Sequence, residues 1–107
     1  MKWVWDELGL RDFIVFVMIY APDRFPVEDY LPAEKQLNLD RAFAELRTGL
    51  EYSSVVRKHP TRRQDAEVLL DDAYRALVAG DRRTACGILG ELQKLLGYDL
   101  KTLLRSN

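Results

Sequence analysis

Groups able to act as nucleophile, general base or metal ligand are scarce in this chain, which contains one histidine, His59, and one cysteine, Cys86. His59 stands in "RKHPTRR" among Arg57, Lys58, Arg62 and Arg63. An imidazole in a cationic stretch, with no carboxylate beside it to orient the ring, makes a poor general base, so His59 reads as a solvated loop residue. Cys86 falls next to the apolar stripe of an expected helix. Arg82 and Arg83, one turn earlier, can favour a thiolate, but no second cysteine or histidine exists to complete a dyad, and packing is the simpler role. Carboxylate pairs occur at Asp6/Glu7, Glu28/Asp29 and Asp71/Asp72. None has the Glu-x-x-His spacing of a di-iron bundle, and a zinc site would need mainly carboxylates, an unusual donor set for that ion. A Gly-rich phosphate loop follows a strand, and no strand is expected. The expectation is no catalytic residue, no metal and no cofactor.

The elements that would position any site follow from size and pattern. The chain of 107 residues is 48% hydrophobic and 31% charged, which suits a single helical domain, 1–107, with one core. A net charge of −1 gives no general reason to expect nucleic acid. The charge is divided, however: residues 1–53 carry −4 and residues 54–107 carry +3, so two electrostatic faces are expected. A lone cysteine allows no internal disulfide, which fits a reducing compartment. The start, "MKWVWDELGLRD", carries acids ahead of the apolar run and no small-residue cleavage site follows it, unlike a secretory signal. That run, Phe13 to Ala21, has nine residues and is too short for a bilayer, which takes roughly 18. The chain therefore reads as cytoplasmic, with no membrane contact.

"FIVFVMIYA" by itself fits a buried strand or a buried helix. No partner strand is evident elsewhere, and a lone strand leaves its backbone groups unpaired, which favours helix. The first helix is placed at 6–21, apolar nearly all round and therefore central, and Pro22 ends it. A second is placed at 33–56, with Leu39, Phe43, Leu46, Leu50 and Ser53 on one face. Pro60 stops the chain again, and Thr61 with Gln64 forms a capping-box pattern for a third helix at 62–79, striped by Ala66, Leu69, Leu70, Ala73 and Leu77. Gly80 ends that helix and Asp81 caps a fourth at 82–96, which Gly97 closes. Asp99 can cap a short final turn through Leu103 and Leu104. The hairpin of helices three and four resembles one tetratricopeptide-type unit, but no second copy is present to stack on it. The fold class is all-α: a compact bundle of four main helices plus a short C-terminal helical turn. The Leu and Ala stripes can close one monomer core or a homodimer seam.

Two surface stretches remain. The basic loop 57–63 has the residues for phosphate contact, but the helix after it exposes Asp65, Glu67, Asp71 and Asp72, which phosphates would repel. Nucleic acid is not the expected partner. The connector "FPVEDYLPAEKQL", Phe25 to Leu37, is richer. Asp23, Glu28, Asp29 and Glu34 outnumber Arg24 and Lys35 around it, Phe25 and Tyr30 supply aromatic surface, and Pro26 and Pro32 pre-order the backbone. Aromatics serve as interface anchors, an acidic rim speeds encounter with a basic partner, and a pre-ordered loop loses less entropy on docking. Part of the aromatic surface is also expected to staple the connector to the bundle. Asp71, Asp72 and Tyr74 form a second candidate surface, again acid beside an aromatic.

The segment "RFPVEDYLPAEKQLNLDRAF" resembles one found in small helical immunity proteins of bacterial type VI and contact-dependent toxin systems. The matching positions are Phe25, Pro26 and Ala33 to Leu37, about 20 residues of the chain. The resemblance implies a non-catalytic protein of interbacterial competition that neutralises a cognate toxin by plugging its catalytic cleft. Such clefts are often basic because their substrates are nucleotides or nucleic acids. The expected partner-binding residues are Asp23, Phe25, Glu28, Asp29, Tyr30 and Glu34. The alternatives are a helical adaptor that holds a peptide helix in the hairpin groove, and a weak nucleic-acid binder acting through the basic loop.

Overall fold

The structure, a computed structural model, describes residues 2–27 and 29–98. It is all-α, and among the described residues there is no strand. The helices are α1 (Glu7–Tyr20), α2 (Leu39–Gly49), α3 (Ser54–Lys58), α4 (Thr61–Val78) and α5 (Arg82–Leu95), with single 3-10 turns at Ala33–Lys35 and Leu50–Tyr52. The apolar run 13–21 is helical. Asp6 caps it, its carboxylate accepting the Gly9 N–H at 2.7 Å. It ends at Tyr20 because Ala21, directly before Pro22, is held extended (ψ 150°).

The single helix expected over 33–56 is instead three pieces. Gln36 and Asn38 are extended, and the Asn38 side chain accepts the Arg41 N–H at 2.9 Å, so α2 starts only at Leu39. Asparagine competes for backbone donors inside a helix and stabilises its start, so the apolar periodicity before it is overruled. A second break falls at Ser53, whose hydroxyl accepts the Val56 N–H at 3.2 Å and opens α3. The capping box at Thr61 is not made either. Pro60 occupies the cap position, Thr61 is already helical, and the carbonyls of His59 and Pro60 accept from Arg62 and Arg63. The expected final turn through Leu103 and Leu104, with its cap Asp99, lies outside the described residues.

The hairpin of α4 and α5 follows its sequence signals closely. Gly80 adopts φ +82°, its N–H bonds the Leu77 carbonyl, and the Asp81 N–H bonds the Ala76 carbonyl, the two-bond helix stop that favours glycine. Asp81 then caps α5 through the Thr84 N–H (3.2 Å) and hydroxyl (2.6 Å). Gly97, at φ +77°, repeats the stop at the end of α5.

α4 and α5 pack along their whole length, α1 lies against α2 and α5, and α2 lies against α4. Leu10, Ile14, Val17, Phe43, Leu46, Leu70, Leu89 and Leu92 are all buried in the shared core. Each such side chain stabilises the fold by up to about 1.5–3 kcal/mol. α1 is not central, contrary to expectation. Leu10, Phe13, Ile14 and Val17 face the core, while Leu8, Val15 and Ile19 remain 55%, 42% and 52% exposed. Only one side of α1 has other helices against it.

Two glycines separate crowding from propensity. A Cβ on Gly49 would meet Val4 Cγ1 at 3.0 Å and Leu10 Cδ1 at 3.1 Å, and both residues are buried. Gly87, inside α5, has nothing within 4 Å of such a Cβ. Gly49→Ala should cost about 1–2 kcal/mol through overpacking, whereas Gly87→Ala should gain about 0.5–1 kcal/mol from helix propensity. Urea unfolding of both variants checks the opposite signs.

Candidate functional site

The connector is fastened to the bundle at both ends. Phe25, half-buried, stacks on Phe16 of α1 with ring centroids 6.1 Å apart, and Phe16 in turn lies 5.5 Å from Phe13 and 6.5 Å from Trp3. Leu37 is buried at the other end. Between these points the chain rides on the outside, where Val27 is 76% and Tyr30 is 68% exposed. Asp23, Asp29 and Glu34 are exposed as well. None of the three has an ion-pair or hydrogen-bond partner among the described residues. Glu28 lies outside the described residues. The two aromatics of the connector thus have different positions: Phe25 fastens the segment and Tyr30 presents a ring to solvent.

The second candidate surface, Asp71, Asp72 and Tyr74, is internally matched. Asp71 pairs with Arg47 of α2, and Asp72 lies 3.6 Å from Arg75. The Tyr74 hydroxyl donates to Asp40, which raises its pKa, and the ring meets Phe43 edge-on at 5.6 Å. Asp40, Phe43, Ala44, Arg47 and Tyr74 enclose a shallow cleft of about 280 Å³. These groups join α2 to α4 and already have the partners that an incoming protein would have to replace.

The basic stretch is exposed at Arg57, Lys58, His59 and Arg62, while Arg63 is paired with Glu67 at 3.4 Å. Cys86 is half-buried with its Sγ 3.6 Å from the Met18 carbonyl. Among the described residues no three His, Cys, Asp or Glu side chains come together as metal ligands, and no helix is long and apolar enough to cross a membrane.

One polar cluster has no counterpart in the sequence-level expectations. Glu7 Oε2 accepts from the Ser54 N–H (2.8 Å), the Ser54 hydroxyl (3.2 Å) and the Tyr98 hydroxyl (2.8 Å). The cluster borders an open cleft of about 490 Å³ whose wall also includes Leu8, Arg11, Val55 and Leu96. Partial burial works against the charged form of Glu7. The bonds from Ser54 and Tyr98, with the positive charge of Arg57, outweigh it and hold the carboxyl below the usual carboxylate range. Burial, and then the Glu7 carboxylate, push the Tyr98 hydroxyl well above the ordinary tyrosine range. In the sequence Glu7 is only half of an Asp-Glu pair, and its donors lie 47 and 91 positions away. No spacing rule could have found them.

Compared with protein-family models, with curated proteins and with solved structures, the chain matches none.

The Glu7 cluster has a calculable pH signature. A carboxyl held low in the fold stabilises it fully above its unfolded value, near about pH 4.3, and that contribution fades as pH falls through the folded value. Glu7→Gln should therefore destabilise the protein by about 1 kcal/mol or somewhat more at pH 7. The gap between variant and parent should narrow below about pH 4. Urea unfolding across that range is the check.

Proposed function

We propose that this chain is a non-catalytic protein-binding module that docks a basic partner through its 23–34 edge. The carrying observation is a contrast in pairing. Asp23, Asp29 and Glu34 are exposed, without partners among the described residues, beside the exposed Val27 and Tyr30, whereas Asp71, Asp72 and Tyr74 are already engaged. Unpaired surface acids raise the encounter rate with a positive partner, and an exposed tyrosine gives that partner an amphipathic ring to enclose. Fastening by Phe25 and Leu37 limits the entropy that the segment loses on binding.

The resemblance of the connector to immunity proteins supports a toxin domain as the partner. On this reading the edge enters a basic catalytic cleft and excludes substrate from it. The adaptor alternative is weakened because α1 and α2 of the same chain already cover the apolar side of the α4–α5 hairpin. Nucleic-acid binding through the basic loop draws support only from the exposure of Arg57, Lys58 and Arg62.

The test begins with the tagged chain expressed in bacteria and recovered with whatever co-purifies at stoichiometric level. Identification of a toxin domain is expected, together with loss of that domain's activity in the complex. Tyr30→Ala and the charge reversal Asp29→Lys should each weaken the complex by about tenfold or more, and Asp71→Asn should not. If Asp29→Lys and Tyr30→Ala leave affinity unchanged, the edge is not the interface. Recovery of nucleic acid that is lost at moderate salt would favour the basic loop instead.

A further inference from the structure

Trp3 and the first turns of α1 enclose a groove of about 290 Å³ lined by Trp3, Gly9, Asp12, Phe13 and Phe16. Gly9, Asp12, Phe13 and Phe16 lie on one face of the helix, and Gly9 adds no side chain to fill it. Trp3 is held across that face, because Glu45 of α2 accepts the N–H groups of Trp3 and Val4 at 3.1 and 3.3 Å. The three rings form a nearly parallel row. Trp3 is inclined by 34° to Phe13 and by 27° to Phe16, and Phe13 by 14° to Phe16, with centroids 5.5–6.5 Å apart. Phe13 is buried, whereas Trp3 and Phe16 are half-buried and keep aromatic surface at water.

The charge beside these rings is negative. Asp12 is the charged member of the lining, and its side chain is 69% exposed. Arg11 approaches it through Nε at 3.6 Å, beyond hydrogen-bond distance, and lines the other cleft of α1. Asp6 brings a second carboxylate to the Gly9 end, where its Oδ1 accepts the Gly9 N–H at 2.7 Å. Lys2, close by in sequence, is engaged elsewhere: its Nζ lies 5.2 Å from the Trp5 ring centroid and 5.1 Å from that of Tyr52. The chain thus already seats one of its own cations on aromatic rings.

These features select an occupant. A purely apolar group would cover the rings but strip water from Asp12 without replacing it. A planar cation stacks on aromatic surface and pairs with a carboxylate at the same time, which suits guanidinium better than ammonium. The volume is small for a drug-sized ligand and fits a single side chain. The groove also continues into the connector, since Phe25 stacks on Phe16 at 6.1 Å and the exposed Val27, Asp29 and Tyr30 follow it.

We propose that this groove receives an arginine side chain of a protein partner, its guanidinium lying against Trp3 and Phe16 and pairing with the Asp12 carboxylate. The inference rests on the reading of the connector as an edge that docks a basic partner, and it names the side chain which that partner inserts. The chemistry of the groove itself is independent of that reading.

The probe is N-acetyl-arginine amide, titrated at millimolar concentrations and constant ionic strength into the full chain, with the uncharged citrulline analogue as its counterpart. Amide resonances of Asp12, Phe13 and Phe16 and the Trp3 indole N–H resonance are expected to shift toward saturation with arginine. They should respond at least about threefold less to citrulline. The indole of the exposed Trp5 is the internal control and should not shift. Asp12→Asn, at an exposed side chain, should weaken arginine binding about threefold, and Trp3→Leu should abolish it. If Trp3→Leu unfolds the chain, Asp12→Asn decides. The proposal is overturned if arginine and citrulline act alike, if the shifts fall outside the groove, or if Asp12→Asn binds as the parent does. It is also overturned if the groove resonances move with protein concentration alone, as a second copy seated there would make them. The edge reading fails separately: partner affinity insensitive to Asp29→Lys and Tyr30→Ala removes the edge and leaves a groove that still takes arginine.

Discussion

α1 buries the face that carries Leu10, Phe13, Ile14 and Val17 and leaves outside the row on which Asp12 stands among Leu8, Val15 and Ile19, because a buried carboxylate without a partner is costly. Polar ties at its two ends fix that choice. At the first turn, Glu7 receives the Ser54 N–H and hydroxyl together with the Tyr98 hydroxyl. At the last turn, Arg82 donates to the Met18 and Ile19 carbonyls, which a helix C-terminus otherwise leaves open. A hydrogen bond contributes about 0.5–1.5 kcal/mol net, more to a charged group, against about 1.5–3 kcal/mol for each fully buried Leu, Ile or Val. Burial therefore stabilises the bundle while the ties hold α1 in place. Rotating α1 to bury Leu8, Val15 and Ile19 would expose Leu10, Phe13, Ile14 and Val17, carry Asp12 inward and break every tie.

The orientation of α1 has consequences for the rest of the surface. It aligns Trp3, Phe13 and Phe16, and Phe25 stacks onto the end of that row. The connector leaves α1 there, passes outside the bundle, and re-enters at Leu37. Glu45 of α2 accepts the N–H groups of Trp3 and Val4 and so fastens the segment ahead of α1. An acidic, partly apolar loop is thereby displayed on a supported frame. Asp71 and Asp72 of α4, by contrast, answer arginines on α2 and on α4 itself. The same residue types thus serve cohesion on one face and, among the described residues, stand exposed and unpaired on the other, a difference that composition cannot express.

Much of the architecture was legible in the sequence because its signals act over four residues or fewer. Pro22, Gly80, Asp81 and Gly97 each act through a local backbone requirement, and each stands where the chain turns. The stripes of α4 and α5 likewise report their buried faces directly, since Ala66, Leu70, Ala73, Leu77, Ala85, Leu89 and Leu92 are all buried. The long helix expected over 33–56 failed where Asn38 and Ser53 used their side chains to cap new starts, a local option that apolar periodicity does not register. Thr61 failed in the opposite sense, because the helix starts one residue early with Pro60 at the cap position, where the His59 and Pro60 carbonyls accept from Arg62 and Arg63 and Thr61 is already helical.

The sequence by itself determined the class of fold, the main turns and the acidic, aromatic character of the connector, all of which follow from neighbouring residues. Only the tertiary structure decided which face of α1 is buried, that Glu7 is the meeting point of three elements, that Phe25 fastens while Tyr30 is displayed, and that Asp71 and Asp72 are matched while Asp23, Asp29 and Glu34 have no partner among the described residues. Each of those outcomes depends on groups brought together from distant parts of the chain, and the physical chemistry of a carboxylate or a ring is set by what packing places beside it.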